Sequence, residues 1–170
     1  MARIFHEWGV NLGEDLMGPD GANTEGFYEN WDFVKLNNAL IHEAGGSWNY
    51  PKKAWPHGDA RAKVLVEASR SELWGWKDNR TAFTFKAYEP YLEDVLFVRC
   101  RRKREDIISS LSRTHLRQFD KKDRTIEYLS ELCDMYETAI DEIIVDYPTI
   151  VVDYDNLQDC TFFNKELKHF

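Results

Sequence analysis

The order of apolar and polar residues divides the chain into helical and strand-like stretches in turn. Ala2 to Trp8 reads as the last turns of a helix closed by Gly9, and residues 11–26, rich in Gly, Asn, Asp and Pro, read as loop. Asn30 can cap a helix running to about Ala44. Phe33, Leu36 or Asn37, Leu40 and Ile41 fall at helical spacing, and Gly45-Gly46 supplies the stop. Beyond the polar and aromatic loop Ser47–Gly58, a second amphipathic helix is expected from about Asp59 to Leu73, carrying Val64, Leu65 and Ala68. Leu73–Trp76 has the composition of a short strand, and Val95–Cys100 (VLFVRC) is the strongest strand signal in the chain. Glu105 to about Gln118 returns to helical spacing, with Ile107, Ile108, Leu111 and Leu116 on the buried side. A long helix then runs from about Lys122 to Asp146. Its Ile126, Leu129, Cys133, Tyr136, Ile140, Ile143 and Tyr147 recur at steps of 3, 4, 3, 4, 3 and 4 residues. Such a stripe either covers a sheet or forms the seam of a homodimer. Pro148 ends it, and Thr149–Tyr154 reads as a buried strand. Helices alternating with short, nearly all-apolar strands predict an α/β fold. A single domain over residues 1–170 is expected, with a parallel sheet flanked by helices.

Composition narrows the function. Hydrophobic residues make up 43% of the 170 residues and aromatics 14%, enough for a core, while 31% are charged. No apolar run approaches the roughly 20 residues that span a bilayer, and Met1–Asp15 has no apolar signal core. A cytoplasmic protein without a membrane partner is expected. The net charge of −8 argues against a nucleic-acid partner, whose affinity would rest on cations at phosphates. Cys100, Cys133 and Cys160 are widely spaced and form no CxxC pair, so neither a disulfide framework nor a metal site is expected. Cys100 and Cys133 sit in apolar patterns and read as small core residues. His6, His42 and His57 have no nucleophile or metal-ligand partner at a useful spacing.

Against the acidic background one basic run stands out: Arg99, Arg101, Arg102, Lys103 and Arg104. It follows the Val95–Cys100 strand and precedes a helix. Ligands of open α/β sheets collect at the C-terminal ends of strands, and a cationic turn beside a helix N-terminus suits an anion such as phosphate. Ser110, in the following helix, is placed to join Arg102 there. The competing reading pairs these arginines with the chain's many carboxylates.

Four segments, in order, resemble sulfotransferases. Arg102-Lys103-Arg104-Glu105-Asp106-Ile107-Ile108-Ser109-Ser110 is similar to their Arg-x-Pro-x-Asp-Val-x-x-Ser section, with Arg104 in place of proline. Trp74–Thr81 (WGWKDNRT) resembles a Trp-Gly-Trp-Lys-Asp-Pro-Arg-Thr loop of bacterial sulfotransferase-like proteins, with Asn79 in place of proline. Residues 9–41 resemble their Gly-Tyr-Phe-Glu element and Leu-Asn helix, and Val151–Leu157 resembles their Tyr-Glu-Asp-Leu ending. The resemblance implies a P-loop-type fold and sulfuryl transfer from 3′-phosphoadenosine 5′-phosphosulfate to a hydroxyl of a small molecule or glycan, without a metal. It implies that Arg102 and Ser110 bind the 3′-phosphate, that Glu29 acts as catalytic base, and that Lys77 stabilises charge at the sulfuryl group. Arg80 would support Lys77 or bind an anionic acceptor. On the residues alone, Glu29 reads equally as an exposed glutamate at a helix start, and Lys77 and Arg80 as partners of Asp78 or another carboxylate.

Family members begin with a strand and a Gly-rich loop that wraps the 5′-phosphosulfate with backbone N–H groups. Here Met1 falls inside the helix that should follow that loop, so the chain is expected to be truncated at its N-terminus relative to the family. Gly13 and Gly18 have the right spacing for a phosphate loop but enclose Glu14 and Asp15, which would repel phosphate. Weak nucleotide binding and little turnover are therefore expected. The alternative is a non-catalytic remnant serving as a binding or assembly subunit.

Overall fold

The computed structural model describes residues 1–20, 23–54, 56–114 and 125–155. They fall into two compact units, residues 2–94 and the residues from Val95 onward.

The first unit is helical. Helix α1 (Ala2–Glu7) ends where Gly9 turns to a φ of +91°, and the Gly9 N–H donates to the His6 carbonyl at 3.0 Å. Helix α2 (Trp31–Glu43) starts at Asn30, whose side-chain oxygen accepts from the Asp32 N–H at 2.9 Å and so satisfies one orphan donor of the first turn. It buries Phe33, Val34, Leu36, Asn37, Leu40 and Ile41. Helix α3 (Ala60–Ser69) is capped by Asp59 and stops short of the expected Leu73, because Arg70 turns to extended backbone. Its inner face is Ala62 and Val66, with Leu65 packed beside them; Val64, expected inside, is 65% exposed.

Helix α4 (Thr81–Tyr88) has no counterpart in the sequence reading. Ala82, Phe83, Thr84, Phe85, Ala87 and Tyr88 are all buried, so it lacks the polar face that would make it amphipathic. Helices α2, α3 and α4 pack on one another around Phe33, Leu36, Leu40, Ala54, Ala62, Val66, Ala87 and Tyr88. Each large side chain removed from water there stabilises the unit by roughly 2 kcal/mol. The Leu73–Trp76 strand is reduced to a single parallel bridge, Asn11 to Trp74. Against it lies an aromatic stack: Trp76 is 4.5 Å from Phe33 at an interplanar angle of 10°, and Trp74 is 5.9 Å from Trp76.

The second unit contains strand β1 (Phe97–Arg101), helix α5 (Arg104–Thr114), helix α6 (Ile126–Ile144) and strand β2 (Thr149–Asp153). The strands pair in parallel, Phe97 opposite Thr149 through Arg101 opposite Asp153. Among the described residues the protein is thus a mixed helix and strand structure with a two-stranded parallel sheet. Cover of both sheet faces, as expected from the apolar strands, is incomplete: Val152 is buried, but every residue of β1 keeps some exposure. Cys100, near the end of that strand, is consequently exposed rather than in the core, whereas Cys133 is buried; Cys160 lies outside the described residues.

Helix α6 starts at Thr125, whose hydroxyl accepts from the Tyr128 N–H at 3.1 Å, and packs against α5. Of its apolar stripe Leu129 and Cys133 are buried, together with Leu132 and Ala139, while Ile126 is 69% exposed. The expected continuation of α5 to Gln118, with Leu116, lies outside the described residues. No helix among the described residues is long and apolar enough to cross a membrane.

Candidate functional site

Glu29 is brought to the first unit's interior by the loop before α2. Leu16 bridges Asn30, the Met17 N–H donates to the Glu29 carbonyl at 2.7 Å, and the Trp31 N–H donates to the Asp15 carbonyl at 2.9 Å. Gly13 takes a φ of +91°, and a Cβ there would run into the Asn30 amide, which itself donates to the Leu12 carbonyl at 3.3 Å. Tyr28, immediately before Glu29, holds a φ of +56°, a left-handed conformation that costs an L-residue about 1 kcal/mol or more. The backbone is thereby turned so that the Glu29 carboxylate points inward, and the residue is buried.

Two cations meet that carboxylate. Lys77 Nζ donates to Glu29 Oε1, and an Arg80 terminal nitrogen donates to Glu29 Oε2 at 2.8 Å. Arg80 is fixed from behind by Asp78, whose Oδ1 accepts from the Arg80 side-chain Nε at 2.7 Å and from its backbone N–H at 3.0 Å. The Asp78 side chain is wholly buried, and its Oδ2 accepts from the Asn37 amide at 2.8 Å. Asn37 in turn accepts from the Thr84 hydroxyl at 2.6 Å and the Tyr88 hydroxyl at 2.8 Å. Thr81 extends the network, since its hydroxyl accepts from Trp76 Nε1 at 2.9 Å. Burial pushes the Tyr88 phenol far above its ordinary value, with the Asp78 carboxylate acting in the same direction, so Tyr88 remains a donor to Asn37. One polar path therefore runs from the core at Tyr88 to Lys77, whose side chain is half-exposed.

The other expected residues belong to the second unit. Arg102 directly follows β1, and Ser110 lies in α5. The basic run is largely spent on carboxylates: Arg99 on Asp141, Arg101 on Asp153, Lys103 on Asp155, and Arg104 on Asp134. Arg104 also donates to the Ser130 carbonyl and hydroxyl, both at 2.8 Å. The Arg104 guanidinium holds the Asp134 carboxyl below its usual range. Arg102 differs. Its guanidinium lies 4.6 Å from the centroid of the Tyr154 ring, and it has no carboxylate partner among the described residues. Glu105 and Asp106 occupy the first turn of α5, where they complement the helix dipole and oppose an anion.

The structure thus brings Glu29, Lys77 and Arg80 into one cluster and places Arg102 and Ser110 in the other unit. Arg80 pairs with Asp78 and Lys77 with Glu29, as the reading of these cations as partners of Asp78 or another carboxylate expects. The structure adds Asn37, Thr81, Thr84 and Tyr88, to which no role had been given. The available signal was Asn37 itself, an amide on the apolar face of a helix, which must find partners inside. No group of three or more His, Cys, Asp or Glu among the described residues is arranged to hold a metal ion. No protein-family model, curated protein or solved structure matches this chain.

Proposed function

We propose that this chain is a sulfotransferase-like α/β protein of P-loop type, suited to sulfuryl transfer from 3′-phosphoadenosine 5′-phosphosulfate to a hydroxyl of a small molecule or glycan. The observation that carries this reading is the convergence of Glu29 with Lys77 and Arg80. The carboxylate comes from the Gly-Phe-Tyr-Glu segment and the cations from the Trp-Gly-Trp-Lys-Asp-Asn-Arg-Thr loop, two of the stretches on which the family resemblance rests. They lie 48 and 51 residues apart in sequence and still share one ion-paired cluster.

The nucleotide supplies the activated sulfuryl group. Glu29 takes the proton of the acceptor hydroxyl, whose oxygen then forms the new bond to sulfur as the bond to the bridging phosphate oxygen breaks. Lys77, whose side chain is 46% exposed, neutralises the charge developing there. Arg80 orients Lys77's carboxylate partner or an anionic acceptor. Arg102 suits the 3′-phosphate because its guanidinium is not taken by a carboxylate among the described residues, and Ser110 adds a hydroxyl. Glu105 and Asp106 work against that phosphate, and Glu14 and Asp15, between Gly13 and Gly18, repel the 5′-phosphosulfate, so affinity is weak and turnover small. Calorimetry with 3′,5′-adenosine bisphosphate tests this. Binding that weakens about tenfold or more in Arg102→Ala is expected, and binding unaffected by that change would remove the assigned phosphate site.

A second reading, a non-catalytic binding or assembly subunit, is favoured by one observation: both Glu29 oxygens are already engaged by cations. It predicts no heat with the bisphosphate and a concentration-dependent mass in sedimentation.

A further inference from the structure

Strands β1 and β2 end together, with Arg101 opposite Asp153 in the parallel register. Beyond the strands the side chains go on pairing at the same offset. Arg101 meets Asp153 in a two-pronged contact, Nε to Oδ1 at 3.0 Å and a terminal nitrogen to Oδ2 at 3.3 Å. Lys103 Nζ lies 3.4 Å from Asp155 Oδ2. Between these two ion pairs stands Arg102, and its counterpart is Tyr154, whose ring centroid is 4.6 Å from the guanidinium carbon. Three successive cations are thus met by a carboxylate, an aromatic ring and a carboxylate. Arg99 is paired with Asp141 and Arg104 with Asp134. In the basic run, Arg102 alone has no carboxylate partner among the described residues.

The choice of partner decides what each cation can still do. A carboxylate cancels the charge of an arginine and takes up the N–H donors that would hold an oxyanion. A ring attracts the guanidinium through its quadrupole and adds no negative charge, so the arginine is held while its charge stays uncompensated. We propose that Tyr154 is the positioning residue of an anion site at the C-terminal end of the sheet. Its ring fixes the Arg102 guanidinium without neutralising it and so reserves this cation for a phosphate-bearing ligand. Asp153 and Asp155 serve the same end by occupying the cations on either side, which directs the anion to Arg102. That the phosphate belongs to a nucleotide rests on the sulfotransferase reading, whereas the positioning of Arg102 does not.

Nuclear magnetic resonance of the Arg102 side-chain Nε–H in the full chain tests the proposal, first free and then titrated with inorganic phosphate at constant ionic strength. In the free protein the Tyr154 ring current should displace this resonance upfield; the displacement should persist in Tyr154→Phe and vanish in Tyr154→Leu. Phosphate should bind wild type and Tyr154→Phe alike, and Tyr154→Leu about threefold more weakly, as loss of a surface cation–π contact requires. Tyr154→Asp, which completes the row of carboxylates, should bind about tenfold more weakly or worse. Tyr154 is 49% exposed, so these changes open no cavity, and urea unfolding should be the same in all four proteins. An Arg102 resonance that ignores Tyr154→Leu, or that phosphate does not shift in wild type, would overturn the proposal. So would wild-type affinity in Tyr154→Asp, or a loss in Tyr154→Phe as large as in Tyr154→Leu, which would transfer the role from the ring to the hydroxyl. A parallel titration with 3′,5′-adenosine bisphosphate separates the two claims. Binding no tighter than that of phosphate, with the Tyr154 pattern intact, supports the positioning and counts against the nucleotide reading alone. Bisphosphate binding that needs Arg102 but is indifferent to every Tyr154 variant sinks the positioning and leaves that reading standing.

Discussion

Asn37 is wholly buried, and both polar atoms of its amide are engaged. Its nitrogen donates to Asp78 and its oxygen accepts from two hydroxyls, a pattern that fixes which way the amide points. Replacing it by leucine keeps the volume but strands Asp78 Oδ2 and the Tyr88 hydroxyl inside the core, while the Thr84 hydroxyl keeps the Arg80 carbonyl at 3.3 Å. A loss of about 3 kcal/mol in urea unfolding is expected, since each unsatisfied buried group costs about 1–3 kcal/mol. A loss under about 1 kcal/mol would mean the network is not held as described. Tyr88 adds a pH dependence. Its phenol is raised in the folded state above the ordinary value of 10.0, so its contribution is present below pH 10 and is lost as the pH rises further. Tyr88→Phe should therefore be less sensitive than wild type to alkaline unfolding. At this scale the sequence was partly legible. Glu29, Lys77 and Arg80 were each singled out, but their mutual pairing depends on Asp78 and on a loop turned by Tyr28, which spacing alone does not reveal.

Among the elements, the helix starts were the most readable, because a cap is a local interaction between a side chain and N–H groups two or three residues on. Asn30 and Asp59 were both identified as helix starts, and both cap as expected. Helix α4 was missed for the opposite reason: its apolar residues surround it, and only tertiary burial distinguishes such a segment. The Asn30 cap leads to a prediction. Asn30→Ala should cost about 1 kcal/mol. Gly13→Ala should cost more, because it displaces that cap and adds left-handed strain of about 1 kcal/mol. A smaller loss for Gly13→Ala than for Asn30→Ala would contradict the close approach of the two. Between α2 and α3, Arg61 grips Glu43 at 2.7 Å and Asp59 at 2.8 Å and holds both carboxyls below their ordinary values of 4.5 and 3.8. Depressed carboxyls stabilise the fold above those values and lose that contribution as the pH falls through the folded-state ones. Arg61→Gln should be less stable than wild type at neutral pH, with the two curves converging in strong acid. Parallel curves across that range would show that Arg61 does not act through these carboxyls.

For the whole molecule, the parallel pairing of β1 with β2 was legible as two short apolar strands separated by helices. The division into two units was not, since the single-domain expectation came from length, and the contacts that define each unit are long-range. The first unit has its own core, drawn entirely from residues 33–88. A fragment of residues 1–94 is expected to unfold cooperatively with the tryptophan emission of the full chain, because all six tryptophans lie within it. A non-cooperative melt would show that this core is insufficient alone. Nitrogen-15 mapping of 3′,5′-adenosine bisphosphate on the full chain tests the assigned 3′-phosphate site most directly. Saturable shifts at Arg102 and Ser110 that disappear in Arg102→Ala are the predicted result. No shift at either residue, or shifts unchanged by that substitution, would contradict the sulfotransferase-like assignment.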